Sequence, residues 1–323
     1  MKVLVTGGAG YIGSVLVRIL LKEGYFVRVI DNLKFGGESI LELLNNENFE
    51  FIKGDVRNEK EVGKNMEGID FIVHLAAIVG DPACAKEPEL ARDTNLSSSM
   101  NVYKIANEYG VKRMIFASTC SNYGKSKDPD AYLNEDSQLS PVSLYAETKV
   151  AFEQFLLKQP STNICKPTCL RFSTVYGLSP RMRFDLTVNE FTRDLASGKE
   201  LVIFGEQFWR PYCHVQDLAR SVLTAIKAEE GKVAFNVFNV GDTNENYTKK
   251  MLAEEMLKQL PESVIKYVEK KEDPRDYKVD FTKIKNELGF KITKTVPTGI
   301  AQINKIIKDG FLINPYDAKY KNV

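Results

Sequence analysis

The sequence is poor in the features that mark several classes of protein. It has only two histidines, and its five cysteines form no C-x-x-C pair, so we expect no metal site. No apolar run approaches the roughly 18 residues of a membrane span, which argues against membrane association. The net charge is +1 without a long basic block, so nothing favours nucleic acid as a partner. A strand pattern begins at once with no signal peptide before it, and we therefore expect a reduced, cytoplasmic protein.

What the sequence does contain is an alternation of strand and helix patterns over its first half. Short β-branched runs predict strands, and apolar residues at helical spacing predict helices. The predicted strands are KVLVTG, FVRVID, FEFIKGD, IDFIVHLAA, VKRMIFAST and TCLRFSTVYG. The predicted helices are SVLVRILLKEG, RDTNLSSSMNVYKIANEYG and SLYAETKVAFEQFLLK. This alternation predicts an α/β fold with a doubly wound parallel sheet of the Rossmann kind.

The pattern becomes irregular after residue 177. Further helices are predicted at NEFTRDLASG, TKKMLAEEMLKQL and FTKIKNELGF, and further strands at ELVIFG and AFNVFNVG. We therefore expect a cofactor-binding domain over residues 1–177 and a smaller α+β substrate domain over residues 178–323. The chain is expected to cross back to the first domain around residues 212–240.

A glycine motif lies between the first strand and the first helix. The stretch TGGAGYIGS satisfies G-x-G-x-x-G through Gly8, Gly10 and Gly13, and G-x-x-G-x-x-G through Gly7, Gly10 and Gly13. Such glycines permit a tight turn and bring the helix N-terminus close to a pyrophosphate. Asp31 ends the next strand, 18 residues after Gly13, where a carboxylate accepts hydrogen bonds from a ribose diol and repels a 2′-phosphate. The motif therefore predicts dinucleotide binding, with NAD favoured over NADP.

The spacing Tyr-x-x-x-Lys occurs three times and carries little information by itself. The pairs are Tyr123/Lys127, Tyr145/Lys149 and Tyr267/Lys271. Only the second pair lies on a predicted helix, where residues four apart share a face. Without the glycine motif, a packed tyrosine beside a solvated lysine would be the default interpretation.

Beside NAD, Tyr145 and Lys149 gain a chemical use. A free tyrosine has a pKa of about 10, and a base active at neutral pH needs that value lowered by roughly 3 units, about 4 kcal/mol. The Lys149 ammonium and the positive nicotinamide ring both stabilise a phenolate. Ser118 and Thr119, at the carboxyl end of a predicted strand, offer hydroxyl groups that orient the substrate oxygen.

These residues together resemble the extended short-chain dehydrogenases/reductases, in their nucleotide-sugar epimerase/dehydratase branch. TGGAGYIG resembles the phosphate loop, VIDNL the adenosine-ribose segment, KGDVRN the adenine contact, HLAA a strand end beside the cofactor, and YAETK the catalytic box. The resemblance implies that Thr119, Tyr145 and Lys149 are catalytic. It implies cofactor contacts at Gly7, Gly10, Tyr11, Ile12, Gly13, Asp31, Asn32, Asp55, Val56, Leu75, Ala76, Ala77, Asn95, Ser118, Tyr145, Lys149 and Phe172.

The second half extends the resemblance to a nucleotide-sugar site. LRFSTVYG resembles the strand over the nicotinamide, with Ser173 in place of a common asparagine, and RPYCHVQDLA and DPRDYKVDF resemble phosphate-binding segments. The substrate contacts implied or retained as candidates are Ser173, Arg183, Asn189, Arg210, Tyr212 and Arg275. A surface role is expected more for Arg181 and Arg183 than for Arg210 and Arg275, and His214 is expected to be structural. The helices over 92–109 and 143–158 resemble the family's dimer interface, which implies a homodimer.

The residues after Thr119 narrow the choice among the reactions that the family catalyses. The 4,6-dehydratases carry an Asp-Glu pair there, the sugar-acid decarboxylases a Glu at the second place, and the C3/C5 epimerases use a cysteine nearby. Here Cys120 and Ser121 follow. Together with the resemblance, these residues favour NAD-dependent oxidation at C4 of a nucleotide sugar. A 4-epimerase is favoured only because such enzymes are more frequent, since a one-way dehydrogenase would use the same catalytic residues. Two alternatives remain open: a one-way C4 dehydrogenase acting on a hexose or heptose, and an inactive NAD-binding scaffold, in which Tyr145 would be sealed in the core.

Overall fold

The computed structural model describes residues 1–128, 130–270, 273 and 275–322 of the chain. Its strands are β1 Lys2–Thr6, β2 Phe26–Asp31, β3 Phe49–Lys53, β4 Phe71–His74, β5 Arg113–Thr119, β6 Tyr132–Leu133, β7 Lys166–Phe172, β8 Thr174–Tyr176, β9 Leu201–Phe204, β10 Trp209–His214, β11 Asn236–Val240, β12 Asn246–Thr248, β13 Ile265–Val268 and β14 Lys278–Val279. Its α-helices are α1 Gly13–Lys22, α2 Glu59–Lys64, α3 Asp81–Lys86, α4 Pro88–Arg92, α5 Ser98–Glu108, α6 Leu144–Leu157, α7 Thr187–Ala196, α8 Val215–Lys227, α9 Glu230–Val233, α10 Lys249–Gln259, α11 Thr282–Leu288 and α12 Val296–Lys308. None of these helices is long and apolar enough to cross a membrane.

Seven strands form one parallel sheet in the order β11-β7-β5-β4-β1-β2-β3. The central strands are fully buried apolar runs, as expected for a sheet with helices on both faces. One hydrophobic cluster lies on each face. The predicted doubly wound sheet is confirmed. The order reverses beside β1, and ligands bind at the carboxyl ends of strands at such a reversal.

The remaining strands form three small sheets. They are β12-β10-β8, β13-β9 and β14-β6. A separate hydrophobic cluster, formed mainly by residues of α7, α10 and α12, fills the space beneath them. This smaller α+β part packs beside the carboxyl edge of the large sheet and so borders the site there.

The chain returns to the large sheet after residue 212. The helix α8 packs against α1, and β11 pairs with β7 in register, with Asn236 opposite Thr168 and Val240 opposite Phe172. The last strand of the large sheet therefore comes from the second half of the sequence. A division of the chain into two domains at residue 177 stays a prediction.

Two predicted elements differ from the structure. The single strand predicted over 168–177 is split into β7 and β8, because the backbone N–H and the hydroxyl of Ser173 both donate to the carbonyl of Val240. The strand β8 then pairs with β10 in another sheet. The helix predicted over 92–110 is interrupted by a π-helical stretch, Asp93–Ser97. The sequence patterns also missed the helices α2, α3, α4, α8, α9 and α12.

Candidate active site

A cavity of about 270 Å³ lies at the carboxyl ends of β1, β4, β5 and β7. Every residue predicted to be catalytic lines it, and so does every residue predicted to contact the cofactor except Asn95. Of the predicted substrate contacts, Ser173 and Arg183 line it, whereas Asn189, Arg210, Tyr212 and Arg275 are not among its lining residues. The cavity therefore corresponds closely to the predicted cofactor site and only partly to the predicted sugar site.

The glycine loop forms a backbone cradle that side chains would destroy. A Cβ atom on Gly13 would lie 2.2 Å from the carbonyl oxygen of Gly7, and one on Gly7 would lie 2.8 Å from the amide nitrogen of Ala76. Gly7 also has a φ of +74°, which favours glycine. The cradle sits at the N-terminus of α1, where backbone N–H groups and the helix dipole attract a phosphate. Its shape fits a dinucleotide pyrophosphate.

The Asp31 carboxylate is fixed in place by two backbone donors. Its oxygens accept hydrogen bonds from the amides of Leu33, at 2.8 Å, and Ala9, at 3.0 Å. Burial raises the pKa of Asp31, and the two amide hydrogen bonds oppose that rise. Asp31 also lines the cavity, where a carboxylate fits a ribose diol.

The pair Tyr145/Lys149 lies on α6, whose first turn is capped by the Ser143 hydroxyl accepting from the Ala146 amide at 3.3 Å. The Lys149 Nζ donates to the carbonyl of Ala117 at 2.9 Å and lies 5.9 Å from the centre of the Tyr145 ring. Tyr145 is only partly buried and faces the cavity, which is the opposite of what an inactive scaffold requires. Thr119, at the end of β5, also lines the cavity and lowers the pKa of Tyr145.

The pKa of Tyr145 does not shift in the direction that a base active at neutral pH requires. Desolvation of the hydroxyl raises the pKa of Tyr145 although the side chain as a whole is only partly buried, and the nearby Arg183 and Thr119 offset only part of that rise. Burial also lowers the pKa of Lys149 to about 8. Within the protein alone, burial therefore opposes the formation of a phenolate on Tyr145.

The other two Tyr-x-x-x-Lys pairs do not form comparable arrangements. Tyr123 ends a short 3-10 turn, and its buried hydroxyl donates to Asn239 at 2.7 Å. Tyr267 lies on the edge strand β13, and Lys271 lies outside the described residues. The position on a helix, and not the Tyr-x-x-x-Lys spacing alone, distinguishes the pair Tyr145/Lys149 from the other two.

Comparison with known proteins gives the same picture. The profile of the NAD dependent epimerase/dehydratase family matches residues 3–241. A UDP-glucose 4-epimerase of Lactobacillus helveticus is 30% identical over 311 residues, covering 90% of this chain and 92% of the relative. The chain belongs to this family.

Solved structures agree with that family. A UDP-glucose 4-epimerase from Thermotoga maritima, solved with UDP-glucose, has a TM-score of 0.83 at 28% identity, covering 97% of this chain and 100% of that one. A dTDP-glucose 4,6-dehydratase from Streptomyces venezuelae, solved with NAD, has a TM-score of 0.84 at 25% identity, covering 96% and 98%. The predicted cofactor, NAD, is confirmed for the family, and the fit of the glycine loop and Asp31 agrees with it.

Within the family fold, a buried ion pair holds together the elements that carry the predicted catalytic residues. Glu153, one turn after Lys149 on α6, binds Arg171 of β7 at 2.6 Å. The same carboxylate accepts from the hydroxyl of Ser118 at 2.6 Å. The Ser118 hydroxyl is thus engaged with Glu153, although the residue still borders the cavity. This network fixes α6 against the ends of β5 and β7, where Thr119 is presented.

Asn95 supports the wall of the cavity without lining it. It lies in the π-helical stretch and is buried, and its amide holds both the N–H and the carbonyl of Ile78, at 2.8 and 3.0 Å. Ile78 lines the cavity. Asn95 therefore positions the segment after β4 and is not itself part of the cavity lining.

Two arginines that line the cavity contradict one expectation from the sequence. The surface role expected for Arg181 and Arg183 is wrong, because they are only 6% and 8% exposed and both line the cavity. Arg183 forms a two-point ion pair with Asp185, at 3.0 and 2.7 Å. Arg181 stacks 4.3 Å above the centre of the Phe35 ring, and burial lowers its pKa to about 10. No local sequence pattern predicts this burial, since it depends on residues distant in the chain.

The predicted phosphate-binding residues of the second half are partnered within the protein. Arg210 binds Asp273 at 2.9 Å, and Arg275 binds Asp81 at 2.8 Å. Tyr212 is buried beside Arg210. Asn189 is also fully engaged: it donates to the Tyr11 hydroxyl at 3.0 Å and to the Arg183 carbonyl at 2.8 Å, and accepts from the Gly177 amide at 2.9 Å.

The residues after Thr119 offer no acid to the cavity. The Cys120 thiol is buried, donates to the Arg171 carbonyl at 3.2 Å, and is absent from the lining. Burial raises the pKa of this thiol. His214 is a structural residue: its Nδ1 accepts from the Gln216 amide at 3.2 Å, and burial lowers its pKa to about 4.

Proposed function

We propose that the protein is a nucleotide-sugar 4-epimerase that oxidises and re-reduces C4 of its substrate. The arrangement of Thr119, Tyr145 and Lys149 beside the dinucleotide cradle carries this proposal. Among the described residues that line the cavity, the carboxylates are Asp31 and Asp55, both at the adenosine end. Elimination of water needs a further acid and base near the sugar, so simple hydride chemistry fits this lining better.

In the proposed reaction, the Tyr145 oxygen accepts the proton of the sugar C4 hydroxyl, and Thr119 orients that hydroxyl. The Thr119 oxygen accepts from the Ser121 amide at 3.1 Å, which leaves its own proton available for donation. The Lys149 ammonium, anchored on Ala117, stabilises the negative charge on Tyr145. Bound NAD supplies the hydride acceptor. For the return step, Tyr145 gives the proton back after the keto sugar presents its opposite face.

The charged groups around the cavity support a diphosphate-bearing substrate. Arg183 lies near Tyr145, close enough to lower its pKa, and so faces the sugar end. We propose that Arg210, Tyr212 and Arg275 hold the nucleotide diphosphate, with Ser173 and Asn189 shaping the wall between them and Tyr145. Guanidinium groups bind phosphates with two parallel hydrogen bonds. This assignment requires Arg210 and Arg275 to exchange their carboxylate partners for the ligand.

One experiment separates the epimerase from the one-way dehydrogenase. The purified protein is incubated with a panel of nucleotide sugars and no added NAD, and both the sugar product and the absorbance of reduced nicotinamide are followed. We expect product to accumulate over many turnovers while reduced cofactor stays transient. One equivalent of reduced cofactor followed by a stop would indicate the dehydrogenase. A 4-keto-6-deoxy sugar would show that the exclusion of dehydration was wrong.

We also propose a homodimer through α5 and α6. Apolar side chains on both helices are only partly buried, among them Met100, Ile105, Phe155 and Leu157. Two such helices from each of two copies make a four-helix arrangement that would cover these groups. Light scattering at micromolar concentration is expected to give twice the chain mass of 36.5 kDa, and a monomer mass would refute the interface.

A further inference from the structure

A segment near the end of the chain closes one side of the cavity. Residues 317–322, here named the strap, include a short 3-10 turn, Ala318–Tyr320, capped by the Asp317 side chain. Asn322 lines the cavity together with Arg181 and Arg183. The strap therefore brings the end of the described chain to the cofactor site, about 140 positions from the arginines that it meets.

Three hydrogen bonds tie the strap to the cavity wall. The Arg181 Nη2 donates to the carbonyl of Lys321 at 3.1 Å, and the Phe184 amide donates to the carbonyl of Tyr320 at 2.8 Å. The Asn322 amide donates to the Asp185 carboxylate at 3.2 Å. The Tyr320 ring packs edge-on against Phe184, 5.6 Å between centres. The strap thus fixes Arg181 directly.

Asp185 links the strap to the second arginine. The carboxylate oxygen that accepts from the Asn322 amide also accepts from the Arg183 Nη2 at 2.7 Å. Movement of the strap therefore removes one donor from Asp185 and one acceptor from Arg181 together.

The position of Arg181 places it across the cofactor cavity. Ser179, two residues earlier, donates to the carbonyl of Tyr11 at 2.6 Å and contacts the Ser14 hydroxyl at 3.1 Å. The loop that carries Arg181 therefore packs on the glycine loop, while its guanidinium covers Phe35 on the adenosine side. The Arg181 guanidinium therefore borders the same cavity as the glycine loop and Phe35.

Two buried polar atoms of this region have no partner among the described residues. They are the Nε of Arg181 and the Oδ1 of Asn322, a donor and an acceptor. Buried polar atoms are nearly always hydrogen-bonded, so an unpaired set beside a cavity points to a ligand that brings phosphate oxygens and hydroxyl groups.

We propose that the strap is a cofactor-retention element: it holds Arg181 over the dinucleotide pyrophosphate and keeps NAD(H) bound between the two hydride transfers. Retention suits a reaction in which the hydride returns to the same sugar. The inference rests on the dinucleotide site of the proposed function, but not on the identity of the sugar.

The test measures cofactor release without any sugar. Protein loaded with NADH is mixed with excess NAD⁺, and the loss of bound-NADH fluorescence gives the release rate. We expect at least tenfold faster release from a chain ending at Tyr316 and from Asn322→Ala. Arg181→Met should match the truncated chain, and truncating Arg181→Met after Tyr316 should speed release no further, because the strap holds Arg181 through the Lys321 carbonyl.

The matched control is Ile313→Ala, a change four residues before the strap at a fully exposed side chain. Its release rate should equal that of the unchanged protein. Release from folded Asn322→Ala and Arg181→Met at the unchanged rate would overturn the proposal, whether or not the truncated chain folds. Since no sugar is present, failure of the epimerase assay leaves this result intact, and fast release in a protein that epimerises normally would still support the strap.

Discussion

The cofactor end of the cavity and the proposed sugar end, whose predicted phosphate-binding arginines lie outside the cavity lining, would recognise their ligands by different means. At the cofactor end, recognition comes from backbone geometry and from one carboxylate held by two amides, so the site is already formed in the protein alone. At the sugar end, the predicted phosphate-binding groups Arg210 and Arg275 already bind Asp273 and Asp81. A prepared backbone cradle needs no rearrangement, whereas paired arginines bind a new anion only in competition with their own carboxylates.

The largest effect is expected from a substitution at Tyr145, where the cofactor end and the sugar end meet. Tyr145→Phe removes the hydroxyl that is proposed to accept the proton, and it removes almost no packing volume. We expect turnover to fall by about 10²- to 10⁴-fold, the usual contribution of a general base, while bound NAD and the melting temperature stay unchanged. Steady-state kinetics and cofactor content after denaturation measure both. Turnover of Tyr145→Phe at the level of the unchanged enzyme would rule out the catalytic role.

The backbone cradle is tested by Gly13→Ala. Since the new Cβ would lie 2.2 Å from the Gly7 carbonyl, the loop must shift, and we expect the purified protein to lose its bound NAD(H). The control is Gly231→Ala, at a helical position where a Cβ meets open space. Normal cofactor content in Gly13→Ala would mean that the cradle is less rigid than the comparison requires.

The paired arginines are tested by opposite changes on the two sides of one ion pair. Arg275→Gln should raise KM for the nucleotide sugar by roughly tenfold, the loss of one charge-assisted contact of about 1.5 kcal/mol, with cofactor content unchanged. Asp81→Asn frees the guanidinium and should lower KM or leave it unchanged. If Asp81→Asn raises KM as much as Arg275→Gln does, the pair acts as a unit and the diphosphate does not compete with Asp81.

The smallest expected effect concerns stability, away from the cavity. Glu245 is buried and accepts from the Val296 amide at the start of α12, at 2.8 Å, and burial raises its pKa to about 7. The folded state therefore prefers the protonated acid, whereas the unfolded chain loses this proton at a pH of about 4.3. Between those two values the unfolding free energy should fall as the pH rises.

Urea unfolding at several pH values between 4.5 and 7.5 measures that slope. Glu245→Gln keeps an acceptor for the Val296 amide and removes the titration, so its unfolding free energy should depend less on pH than that of the unchanged protein. Equal slopes for the two proteins would show that Glu245 titrates alike in the folded and unfolded states.

The sequence predicted best what depends on neighbours in the chain. The first strands, the glycine loop and the helix of Tyr145 were found because β-branched runs, glycines and helical spacing are local signals. The burial of Arg181 was missed because its cover comes from Lys321 and Phe35, far away in sequence. The division of β7 from β8 was missed for a similar reason, since it depends on Ser173 meeting Val240.

The late return of β11 to the large sheet has a consequence for how the protein is made. A ribosome releases the chain from its N-terminus, and the sheet lacks its seventh strand until residues 236–240 have emerged. Until then the edge of β7, with its unpaired backbone groups, stays open to pairing with another chain. Non-local strand pairing of this kind is slow and exposes nascent chains to aggregation. Synthesis of this enzyme should therefore be most dependent on chaperones between the emergence of β7 and the arrival of β11.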